Sequence, residues 1–156
     1  METVAVILTG GRSSRMGRDK CALRLGGETF LERLVERYRG AFGRVCVSVD
    51  RPGRFDPAGA EEVCDRRPGR QGPLAGLEAA FLQTGAEAIF LTAVDLPFGD
   101  AALARRLEQL RGTADACCIR RAGGALHLSQ QQYGLRRAHA QFAHVLDEHR
   151  VVRLRQ

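Results

Sequence analysis

The feature that most narrows the fold lies at the amino terminus. The apolar, β-branched run Thr3 to Leu8 stops abruptly at Thr9-Gly10-Gly11. A strand without polar alternation has to be covered on both faces, which is the condition of a central strand in a parallel sheet. A glycine-rich loop at its carboxyl end then projects where open α/β sheets hold their ligands. The run is also far shorter than the ~20 apolar residues of a membrane span.

The remaining periodicity extends this pattern. Thr29-Phe30-Leu31-Glu32 forms a capping box that opens a helix, with Phe30, Leu31, Leu34, Val35 and Tyr38 on one face and Gly40 expected as its stop. Residues 44–50 read as a strand through Val45, Val47 and Val49, and a short strand is expected near Glu62-Val63-Cys64. Pro73 opens a second helix that turns Leu74, Leu77 and Phe81 inward and ends at Gly85. Residues 88–94 form the most apolar strand and run directly into Asp95-Leu96-Pro97-Phe98. Asp100 is expected to cap a third helix bearing Leu103, Leu107 and Leu110, which ends before Gly112. A further strand is expected over residues 115–120, whereas Gln130-Gln131-Gln132 is too short to interpret.

Strands alternating with helices of about a dozen residues specify an α/β fold. The expected architecture is a single-domain, Rossmann-like three-layer sandwich with a mostly parallel sheet flanked by helices. The 156 residues suffice for one domain, residues 1–156.

A net charge of +6 and a pI near 9.6 raise the question of a nucleic-acid partner. The basic residues are spread along the chain, only two Tyr and seven Phe are available for stacking, and no RNP-type, KH-type or zinc-finger pattern occurs. Neither nucleic acid nor a membrane is expected as a partner, because a small anionic ligand accounts for the charge equally well. The N-terminus has no charged n-region followed by a cleavable apolar stretch, so a cytoplasmic location is expected.

Cys21, Cys46, Cys64, Cys117 and Cys118 make an odd count without a C-x-x-C pair, and read as small hydrophobes. His127, His139, His144 and His149 all follow Gly112, with spacings that suit no metal motif.

Residues 10–20 hold the densest candidate chemistry. Arg12, Arg15, Arg18 and Lys20 supply four cations, while Gly10 and Gly11 clear the backbone of side chains. That composition suits a polyphosphate, and equally a solvated basic loop. The spacing is neither G-x-G-x-x-G nor G-x-x-x-x-G-K-[ST], which disfavours dinucleotide binding and P-loop hydrolysis. Lys20 is the sole lysine among 24 basic residues, and a compact ammonium is not interchangeable with a guanidinium. Asp95 falls at the same sheet edge, where one carboxylate facing substrate phosphates can hold Mg²⁺; an Asp there can equally cap a turn or helix. Asp65, at another strand end beside Arg66-Arg67, reads by pattern alone as a turn residue.

Taken together, residues 6–20, Val6-Ile7-Leu8-Thr9-Gly10-Gly11-Arg12-Ser13-Ser14-Arg15-Met16-Gly17-Arg18-Asp19-Lys20, closely resemble the L-A-G-G-x-S-x-R-M-G-x-D-K signature of the molybdenum cofactor guanylyltransferases, the MobA family. Gly72-Pro73-Leu74-Ala75-Gly76 and Asp95-Leu96-Pro97-Phe98 resemble that family's G-P-L-A-G and D-M-P-F elements, in the same order.

The resemblance implies a nucleotide-diphospho-sugar transferase-like fold and transfer of GMP from GTP to the terminal phosphate of molybdopterin, with release of pyrophosphate. It implies that Leu8, Thr9, Gly10, Gly11, Ser48 and Asp65 contact the nucleotide. Lys20, Arg15 and Asp95 would be the catalytic set, with Lys20 also on the phosphates and Asp95 holding Mg²⁺. Ser48 stands where a family member has Asn. Implied partners are GTP, molybdopterin and other molybdenum-cofactor biosynthesis proteins. Residues 1–111 would form the nucleotide-binding half and residues 112–156 a divergent, short acceptor half. The alternatives are a cytidylyl- or sugar-phosphate nucleotidylyltransferase and a non-catalytic nucleotide-binding paralogue.

Overall fold

The computed structural model describes residues 2–9, 20–55, 59–65, 73–112, 114, 116–118 and 130–134; at Lys20, Leu74, Cys118 and residues 130–134 it describes the backbone alone. Eight strands and three α-helices occur in these segments. In chain order they are β1 (Thr3–Leu8), a 3₁₀ turn (Lys20–Ala22), β2 (Arg24–Leu25), β3 (Glu28–Thr29), α1 (Phe30–Arg39), β4 (Val45–Val49), β5 (Glu61–Cys64), α2 (Pro73–Thr84), β6 (Ala88–Ala93), α3 (Ala101–Arg111), β7 (Ala116–Cys118) and β8 (Gln130–Gly134).

Every residue of β1 is buried, as its unbroken apolar run requires. It pairs in parallel with β4 on one side and β6 on the other, and β4 pairs in parallel with β5. The sheet order is β5-β4-β1-β6-β8-β7, with β8 antiparallel to both of its neighbours. Side-chain alternation divides the core between two layers. Ala5, Ile7, Val45, Val47 and Phe90 face Leu31, Leu34, Val35 and Tyr38 of α1 and Ala104 and Leu107 of α3. Val4, Val6, Leu8, Cys46 and Leu91 lie in a second cluster with Leu77, Ala79 and Ala80 of α2. The result is the expected three-layer sandwich with a mostly parallel sheet.

Local signals explain the element boundaries. Thr29 Oγ1 accepts from the Glu32 amide at 3.1 Å, and the Thr29 amide donates to Glu32 Oε2 at 2.6 Å, completing the capping box. Phe90 stacks on Phe42 with centroids 5.4 Å apart and meets Tyr38 at 5.1 Å, which ties α1 and its exit to the central strand. Asp100 caps α3 by accepting from the Ala102 amide at 2.8 Å. Gly85 ends α2 with φ +66°, a conformation costly for any other residue.

Two features add to the sequence reading. Gly40 does end α1, but in a right-handed conformation at φ −66°, and the chain then turns Ala41 and Phe42 back onto the Tyr38 carbonyl. The glutamine run at Gln130 is not a featureless tract: it is a strand paired along β6 from Ala88 to Thr92.

The outer strand is protected. Gln83 of α2 holds Cys64 of β5 at both backbone groups, accepting from its amide at 3.2 Å and donating to its carbonyl at 2.6 Å. This peptide-like bridge occupies groups that an edge strand otherwise offers to another chain.

Candidate functional site

Because β1, β4, β5 and β6 run in parallel, their carboxyl ends lie along one edge of the sheet. The chain leaves β1 toward β4 and β5, then crosses over to β6, so strand order reverses between β1 and β6. A crevice opens at such a switch point.

The exit of β1 is fixed to both neighbours. The Thr9 hydroxyl donates to the Ser48 carbonyl at 2.5 Å, and its amide reaches the same oxygen at 3.4 Å. On the other side, the Val94 amide donates to the Leu8 carbonyl at 3.0 Å. Leu8 and Thr9 are both buried, so what they offer a ligand is backbone on a rigid base rather than a reaching side chain. Gly10, Gly11 and Arg15 lie outside the described residues, as does the side chain of Lys20. The Lys20 backbone opens the 3₁₀ turn, anchored by buried Cys21 next to it.

Ser48 and Asp65 come together at the ends of β4 and β5. The Asp65 amide donates to the Val49 carbonyl at 3.0 Å, which fixes the residue beside β4. Burial pushes the Asp65 carboxyl above its ordinary range and the charge of Asp50 adds to this, while a hydrogen bond from the Ser48 side chain works the other way. Asp65 Oδ1 is buried with no hydrogen-bond partner among the described residues. An acceptor left in that condition costs about 1–3 kcal/mol, a debt that a ligand donor can cancel. Asp65 therefore has more chemistry than a turn residue needs.

Asp50, which the sequence reading passed over, supplies the neighbouring charge. Arg54 donates to its Oδ1 at 2.6 Å and holds its carboxyl below the usual range. The same guanidinium lies 4.9 Å from the Phe55 ring centroid, and the Gly53 amide donates to Glu62 Oε2 at 2.7 Å. The loop beside Asp65 is thus pinned from two directions.

Asp95 follows β6 at the same edge and is exposed. The capping of α3 belongs to Asp100, so capping that helix does not account for Asp95. Among the described residues no three His, Cys, Asp or Glu side chains converge as a metal cluster. One outward carboxylate at a ligand-binding edge nevertheless fits a hard cation whose other ligands come from phosphate and water. The connection bearing Asp95 also displays Phe98, which is 70% exposed, while Pro97 and Gly99 are buried.

Gly76 is another residue whose purpose only the structure shows. It lies in the first turns of α2 and removes any side chain from the contact with Ser48 and Leu8. A glycine within a helical pattern is the signal that could have marked it.

The other candidates are quickly placed. Cys21, Cys46 and Cys117 are buried and Cys64 half-buried. Burial raises the Cys46 thiol to about 11, which suits a small core hydrophobe rather than a nucleophile. The four histidines lie outside the described residues. No helix among the described residues is long and apolar enough to cross a membrane.

Residues 5–156 match a family described as the MobA-like NTP transferase domain. A molybdenum cofactor guanylyltransferase of Sinorhizobium fredii (strain NBRC 101917 / NGR234) is 36% identical over 129 residues, covering 79% of this chain and 59% of the relative. That of Rhizobium meliloti (strain 1021) is 38% identical over 129 residues, with the same coverages of 79% and 59%. The chain thus spans about three fifths of the length of these curated relatives. Among solved structures, molybdopterin-guanine dinucleotide biosynthesis protein A from Archaeoglobus fulgidus superposes with a TM-score of 0.66 at 24% identity, over 85% of this chain and 67% of that one. A CMP:2-keto-3-deoxy-manno-octonic acid synthetase complexed with CTP superposes with a TM-score of 0.62 at 14% identity, over 85% and 73%. At these identities the superpositions establish the fold alone.

Proposed function

The chain belongs to the MobA-like NTP transferase domain family, and on that premise we propose that it transfers GMP from GTP to the terminal phosphate of molybdopterin, releasing pyrophosphate. An oxygen of the acceptor phosphate attacks the α-phosphorus of GTP. The new P–O bond forms as the bond to the bridging oxygen breaks, and pyrophosphate leaves with that electron pair. The attacking oxygen is already anionic, so no general base is needed and catalysis rests on positioning and charge stabilisation.

The observation that carries the reading is the buried Oδ1 of Asp65 at the sheet edge, without a hydrogen-bond partner among the described residues. Guanine presents N1–H and the N2 amino group side by side, two donors that an ionised carboxylate can accept together. Cytosine and adenine lack that adjacent pair, so this acceptor favours GTP. The backbone of Leu8 and Thr9, with Gly10 and Gly11, would line the nucleotide from the β1 side, and Ser48 would orient Asp65. Lys20 and Arg15 are assigned to the phosphates on the sequence pattern. Asp95 would hold Mg²⁺, which when bound supplies charge neutralisation at the phosphates.

Titrating GTP, CTP, ATP and UTP calorimetrically, and measuring pyrophosphate release with GTP, Mg²⁺ and molybdopterin, tests the proposal. Preferential GTP binding with release dependent on molybdopterin is expected. A preference for CTP, or normal GTP binding without any release, overturns it.

A further inference from the structure

We propose that Arg37 is a positioning residue for Asp95, holding from α1 the loop that carries this carboxylate. The inference rests on the reading of Asp95 as the cation-binding group.

Residues 94–100 join β6 to α3 as two successive tight turns, closed by Leu96 N–H donating to the Ala93 carbonyl at 3.1 Å and Gly99 N–H donating to the Leu96 carbonyl at 3.0 Å. The near end is fixed where Val94 N–H meets the Leu8 carbonyl, and the far end where Asp100 caps α3. Between them the backbone turns inward at Pro97 and Gly99 and outward at Asp95 and Phe98. A carbonyl on an inward-turned residue needs a donor. Arg37 Nη1 supplies it, donating to the Gly99 carbonyl at 2.7 Å from a position 62 residues earlier in the chain.

The contact is a charged one across two elements. Arg37 is half-buried in the last turn of α1, and its charge and that of Asp100 act on the Tyr38 hydroxyl with opposite effect. Without Arg37 the second turn loses its tether to α1, and the carboxylate four residues before Gly99 is left held only from the Val94 side, where the loop meets the β1 exit. Support of this kind sets the orientation of a ligating group, and its removal typically lowers metal affinity by about 10- to 100-fold.

Arg37→Met, Arg37→Lys and Asp95→Asn are to be compared with the wild type in Mn²⁺ binding in the presence of GTP, read from the loss of the free-ion paramagnetic resonance signal. GTP binding in EDTA, and kcat and KM for GTP, are measured alongside. Arg37→Met is expected to weaken Mn²⁺ binding about tenfold, to leave GTP binding in EDTA unchanged, and to lower kcat more than it raises KM. Arg37→Lys, which keeps a charged donor, is expected to recover most of the loss. Arg37→Gln, of similar polarity but too short to reach, replaces the Met variant should the latter fail to fold.

Unchanged Mn²⁺ binding in the Arg37 variants, with loss in Asp95→Asn, refutes the positioning role and leaves the assignment of Asp95 standing. An equal loss of GTP binding with and without Mn²⁺ marks a general structural role and likewise refutes it. Unchanged Mn²⁺ binding in Asp95→Asn removes the assignment on which the inference rests.

Discussion

Gly76 of α2 and Ser48 of β4 approach so closely that a β-carbon on the glycine would lie 2.7 Å from the serine hydroxyl oxygen. The helix and the strand end that supports Asp65 are therefore packed at a distance only glycine permits. Gly76→Ala forces the helix or Ser48 to shift, at a cost of about 1–3 kcal/mol for overpacking, offset by up to ~1 kcal/mol of better helix propensity. Net stability is expected to fall only modestly. GTP affinity is expected to fall further, because Ser48 is displaced from Asp65. Calorimetric GTP binding beside a thermal melt separates the two effects; a melting loss with unaltered affinity would show that the contact supports the fold alone.

Asp65 offers a test of base recognition that does not depend on turnover. Asp65→Asn exchanges one acceptor oxygen for an amide donor, which opposes the N2 amino group of guanine but matches the O2 acceptor of xanthine. Hydrogen bonds to charged groups contribute about 1.5–3 kcal/mol, so GTP affinity is expected to drop roughly 10- to 100-fold. The variant is expected to bind XTP better than the wild type does. Equal losses for GTP and XTP would mean that Asp65 does not face the base edge.

The pH dependence of the same residue has opposite signs for stability and for binding. Burial, then the charge of Asp50, raises the folded-state carboxyl above its ordinary value. A group raised in this way gives stability that is fully present below its unfolded pKa and is lost as pH rises through the folded one. Base binding needs the ionised form and weakens as pH falls through that same value. From above the raised value down to the ordinary carboxylate range, acidification is therefore expected to stabilise the ligand-free wild type relative to Asp65→Asn while weakening its affinity for guanosine, a ligand with no titrating phosphate. Melts and guanosine titrations across that range check both signs, and a flat difference between the two proteins would rule out the raised carboxyl.

The legible parts of the chain were those whose signal is local. Thr29 and Glu32 sit three positions apart and close the capping box that their spacing implies; the uninterrupted apolar residues of β1 are covered on both faces, as such a run must be. Asp100 caps α3 for the same reason of proximity. Much of what escaped was made by partners distant in sequence. Gln130 to Gly134 becomes a strand through its backbone pairing with β6, which no side-chain alternation announces. Gly26 and Gly27, with φ of +64° and +92°, turn the chain between β2 and β3 in strands too short to show a period. Gly40 stops α1 as its composition implies, but its right-handed conformation and the return of Ala41 and Phe42 onto the Tyr38 carbonyl were not legible. In the candidate site, Asp65 and Asp95 could be placed at strand ends from the pattern, whereas the gap at Gly76 and the reach of Arg37 exist only once α1 and α2 have docked on the sheet.

The final prediction concerns Lys20, the one lysine in a chain that otherwise uses arginine for its cations. Its backbone begins the 3₁₀ turn Lys20–Ala22, and Cys21 next to it is 3% exposed within the cluster that includes Leu31, Leu34 and Val35 of α1. That anchor prevents the main chain from retreating to make room for a longer side chain. Lys20→Arg keeps the charge, yet a planar fork cannot occupy a point-charge phosphate position from the same backbone origin. Turnover is expected to fall at least about tenfold, the equivalent of ~1.4 kcal/mol in the barrier, with little change in melting temperature because the substitution leaves Cys21 and the core untouched. Steady-state pyrophosphate release checks it. Near-wild-type turnover in Lys20→Arg would show that the family-like position tolerates either cation and that the phosphates are held elsewhere.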